Sequence, residues 1–157
     1  RTMLPAIVSR KLAALNAYWV GYANRLGYVE TIPDRTVDPD RGYPLLCTRT
    51  ERGQVLPTVP LSYRVQGSAM WWMCKAMVRV QEMLDKLNLK LRKPDHFKMV
   101  LQIHDELIYE GEESVVGIAE EVIRVAMEGA MERSFLKKKS PVPFLVNVAS
   151  GENWGEL

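Results

Sequence analysis

Residues 97–111, FKMVLQIHDELIYEG, constrain the fold more than any other stretch of the chain. Two extended runs rich in branched and aromatic side chains flank His104, Asp105 and Glu106, so the polypeptide has to reverse direction at these three residues. If it turned elsewhere, Asp105 would be buried in a strand, where an unpaired carboxylate is costly or stays protonated. A turn instead presents the acids at a sheet edge. Carboxylates on a tight hairpin suit a hard cation such as magnesium, which takes oxygen ligands at about 2.1 Å and is held more rigidly by a short turn than by a long loop. Taken alone, the same triplet also reads as a turn aspartate beside a surface glutamate. A histidine–aspartate phosphohydrolase needs several scattered histidines, and this chain has only His96 and His104. A Ser/His/Asp hydrolase would need a nucleophile elbow such as GxSxG, which is absent from the sequence.

The remaining pattern places this hairpin among helices. Leu4, Ile7, Lys11 through its stem, Leu15, Trp19, Tyr22 and Leu26 recur at helical spacing, which predicts a helix over 3–26 ended by Gly27. YVETI then alternates as a strand does, and residues 33–42 are rich in turn formers. YPLLCTRTERGQVLPT reads as a hairpin of its own, turning near Arg52-Gly53. Ala69, Met73, Ala76, Val80, Met83, Leu84 and Leu87 form one stripe and predict a long helix over about 67–88. Met70, Trp71, Trp72 and Met73 read as core packing at its start, as do Phe97 and Tyr109 on the strands. A third helix over about 113–135 buries Val115, Ile118, Val122, Ala126 and Ala130. FLVNV, residues 144–148, reads as a final strand. The expected class is α+β, an antiparallel sheet with long helices packed on one face.

Composition narrows the class of function. With 157 residues, 47% hydrophobic and 25% charged, the chain can bury a sizeable core. It contains neither a long apolar run nor a signal-peptide pattern, which leads us to expect a soluble, cytoplasmic protein that is not secreted. Cys47 and Cys74 lack metal-ligand spacing and read as structural thiols of a reducing compartment. The net charge of +2 divides unevenly, with +8 over residues 1–100 and −6 over 101–157. That imbalance fits a nucleic-acid binder with a metal site, and solvated helix faces produce it equally well. The chain begins at Arg1, inside a helical pattern, which leads us to expect a piece of a longer protein.

Four motifs in order resemble family A DNA polymerases, the group of bacterial DNA polymerase I and many bacteriophage replicases. LQIHDELIYE at 101–110 resembles motif C. GYVET at 27–31 is similar to the strand after the fingers, and YRVQGSAMWWMCKAMVRVQ at 63–81 to the glutamine-glycine start of the long palm helix. PVPFLVNVASGENW at 141–154 resembles the C-terminal strand and its Gly-x-x-Trp ending. Arg41 to Pro60 and the Trp71-Trp72 pair look closer to phage-type members than to the bacterial repair enzymes.

The resemblance implies a DNA-directed DNA polymerase working by two-metal nucleotidyl transfer to a primer 3′-hydroxyl, with primer-template DNA and deoxynucleoside triphosphates as partners. It implies that Asp105 binds two catalytic Mg2+ ions, that Glu106 supports that metal site, and that His104 contacts the primer terminus. It likewise implies that Gln66 hydrogen-bonds minor-groove edges, whose acceptors are nearly the same for every correct pair, so geometry is checked without reading sequence. Residues 1–26 would end the fingers, and 27–157 would form the C-terminal part of the palm. Motif A, the fingers helix that meets the triphosphate, and the thumb have no counterpart here, so the chain alone is expected to be inactive without those regions.

The sequence also departs from the family pattern. Where the family has Arg, Asn and Pro upstream of the glutamine, Thr58, Ser62 and Arg64 stand here. Ser62 is shorter than Asn and reaches less far into a minor groove, and Arg64 adds a charge that could meet a primer or template phosphate. The alternative reading is a catalytically incomplete, palm-derived module for nucleic-acid binding or assembly.

Overall fold

The structure, a computed structural model, describes the backbone of residues 3–34, 36–92, 97–134 and 143–156, and the side chains of these residues except 3–10 and 131–134. Leu4, Ile7, His96, Glu132 and the start of the PVPF segment therefore lie outside the described side chains. The chain divides into two compact units, Arg1–Trp71 and Trp72–Leu157. Mixed long helices and small antiparallel ladders make it an α+β protein.

In the first unit, helix α1 runs Met3–Leu26. It stops at Gly27, whose φ of 85° is the left-handed geometry that glycine adopts without a Cβ penalty, and whose amide donates to the Ala23 carbonyl at 2.8 Å. Strand β1, Tyr28–Glu30, follows, and it pairs antiparallel with β2, Pro44–Leu46, in the register Tyr28↔Leu46 and Glu30↔Pro44. PLL therefore closes on the first strand, where the sequence pattern suggested a separate hairpin. What remains of that hairpin is one bridge, Arg49↔Val55, around a turn with Gly53 at φ 76°. The core consists of Ala23, Val29, Cys47 and Val55, flanked by Trp19, Tyr22, Leu45, Val59 and Tyr63. The predicted α1 stripe is only partly buried: Leu15 and Leu26 face solvent, and Ala23, outside that stripe, is fully covered.

Helix α2, Val59–Lys90, starts eight residues before the sequence expectation because its first turns have no apolar stripe to announce them. Pro60 fits in that first turn, where its missing N–H costs nothing, and it is fully buried. Gly67 lets α2 approach β2 closely, since a Cβ at this position would lie 2.3 Å from Leu45 Cδ1.

The second unit contains the later part of α2, strands β3 (Phe97–Ile103) and β4 (Glu106–Gly111), and helix α3 (Val116–Ser134) after a short 3-10 turn. Met73, Ala76, Val80 and Leu84 of α2 meet Phe97 of β3 and Ala119, Ile123, Ala126, Met127 and Ala130 of α3 in one core, with Leu107 and Tyr109 of β4 against it. The α2 stripe is therefore buried largely as its spacing predicts, except that Ala69 is exposed; Met70, expected in the core at the start of the helix, is exposed as well. On α3 and the 3-10 turn before it, Ala126 and Ala130 are buried and Val115 and Val122 half-buried as predicted, but Ile118 is 53% exposed, and Ala119 and Ile123 are covered beside the predicted positions. Residues 144–148 alternate between half-buried and exposed but pair with no strand among the described residues; Val146 instead donates its amide to Glu128 Oε1 at 3.1 Å, and Phe144 packs its ring on Trp72 at 5.6 Å.

Candidate functional site

The β3–β4 hairpin presents His104, Asp105 and Glu106 at its tip. Ile103 pairs with Glu106, which leaves a loop of His104 and Asp105 alone. His104 has φ 51° and Asp105 is not in the left-handed region, the φ pattern of a II′ turn, where glycine is usual at the first position. Histidine is enriched several-fold among the non-glycine residues that adopt positive φ, and the excursion costs roughly 1–2 kcal/mol. Gln102 helps to fix the tip by donating its side-chain amide to the His104 carbonyl. The quoted motif contains this glutamine, but its spacing alone gave it no role.

Both carboxylates and the imidazole at the tip are exposed. Neither Asp105 nor Glu106 has a side-chain hydrogen bond or ion pair with a described residue, so their oxygens are open to a ligand. Among the described residues no three His, Cys, Asp or Glu side chains converge into a metal cluster. Two adjacent, solvent-facing carboxylates on a rigid turn suit a hard cation as part of a ligand set, with further oxygens from water or other groups.

The other end of the hairpin is anchored in the core. Asn88 of α2, 6% exposed, gives its Nδ2 to the Phe97 carbonyl and accepts the Phe97 amide on Oδ1, each at 3.3 Å. A β-bulge between Met99 and Leu101 then shifts the register, and Met99 pairs with Tyr109. Burial raises the Tyr109 phenol far above its ordinary value, and its hydroxyl is buried with no hydrogen-bond partner among the described residues. Neither Asn88 nor the bulge was legible from residue type, because both depend on the partner element.

The residues carried over on α2 belong to the first unit. Gln66 is exposed, Ser62 half-buried, and they are one helical turn apart. Arg64 lies between them and behaves differently. Its Nη1 donates to the carbonyl of Glu30 and, at 3.2 Å, to that of Thr31, while its guanidinium carbon sits 4.1 Å from the centre of the Trp19 ring. Burial pulls its pKa below the ordinary arginine value, with Glu30 acting the other way. The side chain expected to reach a phosphate is engaged inside the fold. Trp71, expected in the core, gives its indole N–H to the buried Asp34 at 2.8 Å and packs on Tyr43 at 4.2 Å. Cys47 is buried, which pushes its thiol pKa up, and both cysteines are free.

The model of DNA polymerase family A matches residues 15–156. The chain belongs to DNA polymerase family A. It is similar to DNA polymerase I of Caldicellulosiruptor bescii, 32% identical over 93% of this chain and 14% of that protein, and to DNA polymerase I of Treponema pallidum, 30% identical over 89% of this chain and 11% of that protein. DNA polymerase theta of Drosophila melanogaster is 28% identical over 88% of this chain and 6% of its own length. The chain thus spans about a seventh or less of the curated relatives it matches. No solved structure matches it. No helix among the described residues is long and apolar enough to cross a membrane.

Proposed function

We propose that this segment carries the motif C half of a DNA-directed DNA polymerase site, within a longer polymerase that supplies motif A, the fingers and the thumb. Residues 1–26 then close the fingers and 27–157 complete the palm. The observation that carries the reading is the exposed, unpaired Asp105-Glu106 pair at the tip of a hairpin with a two-residue loop, in a chain of family A.

Asp105, with Glu106 beside it, would hold Mg2+ from one side, leaving the other to a carboxylate of motif A. Two such ions, when bound, would supply activation of a primer 3′-hydroxyl and stabilisation of the departing pyrophosphate. His104, fixed in its left-handed turn, faces solvent where a primer terminus can be contacted. Gln66 and Ser62 share one face of α2 and would meet minor-groove acceptors of primer-template DNA, with deoxynucleoside triphosphates as the second substrate.

Single-turnover primer extension in the longer polymerase tests this. Asp105→Ala lowers the extension rate by several orders of magnitude and leaves primer-template affinity within a few-fold. A near-normal rate contradicts the assignment and favours a palm-derived binding module without catalysis.

A further inference from the structure

We propose that Arg64 is a positioning residue that holds the first turns of α2 from behind and thereby sets the presentation of Ser62 and Gln66; this rests on the minor-groove reading of Gln66 above. With 3.6 residues per turn, Ser62 and Gln66 project within about 40° of each other, and Arg64 projects about 160° from either. Its guanidinium is directed to the opposite side of the helix from the face that would meet DNA.

What it finds there is the end of β1. Glu30 is the last residue of the ladder and Thr31 is 2% exposed, so both carbonyls need donors where the strand leaves its partner. Arg64 supplies them, and Trp19 of α1 covers the guanidinium face. One turn further along α2, Ser68 adds a second tie: its hydroxyl accepts the Ile32 amide at 2.8 Å and donates to the Arg64 carbonyl. Consecutive turns on the back of α2 therefore grip three consecutive residues, Glu30 to Ile32. A lysine at position 64 would keep the charge but lose the planar fork and the stacking on Trp19. Proline, which the family pattern has at this position, would make none of these contacts.

The test uses the longer polymerase with Arg64→Gln, Arg64→Lys, Gln66→Ala and the Arg64→Gln/Gln66→Ala double variant. The readouts are kcat/KM on matched and mismatched primer termini, the salt dependence of primer-template binding, and Tm. Arg64→Gln and Gln66→Ala each reduce discrimination between matched and mismatched termini several-fold, the double variant is no worse than the poorer single one, and Arg64→Lys does not restore discrimination. The salt slope stays that of the parent. A slope shallower by about one ion for Arg64→Gln, restored by Arg64→Lys, overturns the proposal in favour of a phosphate contact. Lower Tm with discrimination intact overturns it in favour of packing alone. If Gln66→Ala behaves as the parent, the minor-groove reading fails first and this inference with it, whereas an effect of Gln66→Ala that multiplies with that of Arg64→Gln sinks only the role of Arg64.

Discussion

Asp105 and His104 share a two-residue loop, and opposite demands act on them. Asp105 is legible in the sequence because a carboxylate between two apolar runs has to be at a reversal. The left-handed backbone of His104 is not legible, since glycine or asparagine usually signals positive φ. Its cost of roughly 1–2 kcal/mol is about what glycine would recover there, less up to about 1 kcal/mol for glycine's freer unfolded chain. His104→Gly is therefore expected to melt at or slightly above the parent temperature, and His104→Val, β-branched at the same φ, several degrees below it. Both are expected to slow primer extension, because both lose the imidazole. Calorimetry beside extension rates separates the two effects. Arg64 shows a different limit of reading residues in sequence. A cation between Tyr63 and Val65 reads as surface, and only the fold shows carbonyls at the end of a strand waiting for its donors.

At the scale of elements, periodicity gave α1 and the apolar stripe of α2 because a 3.6-residue repeat survives local variation. It missed the start of α2, where Val59 and Tyr63 pack against the small core of Ala23, Val29, Cys47 and Val55 without a continuing stripe. It also made a strand of 144–148, whose alternation is real but whose backbone finds Glu128 instead of a neighbouring strand. In β4 the buried, unpartnered Tyr109 hydroxyl weakens the hairpin it belongs to. Tyr109→Phe is expected to stabilise the protein by about 1 kcal/mol, seen as a higher denaturant midpoint with an unchanged slope. Its pH dependence has a definite sign. The folded-state pKa lies above the ordinary tyrosine value of 10.0, so the stability held by the neutral phenol is intact below about pH 10 and declines as pH rises beyond it. The phenylalanine variant loses that part of the alkaline decline. On the other unit, Gly67→Ala drives a Cβ against the end of the Leu45 side chain, which can turn away, while alanine gains about 1 kcal/mol as a helix former, so the same denaturation is expected to show a net change within about 1 kcal/mol.

For the whole molecule, the order of helices and hairpins and the charges of +8 over residues 1–100 and −6 over 101–157 were open to reading, and so was the family, because four stretches that resemble it occur in order over most of the chain. The pairing of PLL with β1 was not, since strand partners depend on geometry far along the chain. Because the proposed site still needs the carboxylate of motif A, the 157-residue chain alone is expected to give no primer extension above background. The central claim is that the Asp105 carboxylate itself ligates a divalent ion during nucleotidyl transfer. Its most direct measurement is a metal-swap assay on Asp105→Cys in the longer polymerase, because a thiolate is a poor ligand for Mg2+ and a good one for softer ions. We expect extension with Mg2+ to fall at least about a thousandfold and softer Cd2+ to restore it at least about tenfold relative to the same variant in Mg2+, with no such gain for Asp105→Ala. Parent-like extension by Asp105→Cys in Mg2+ would contradict the claim.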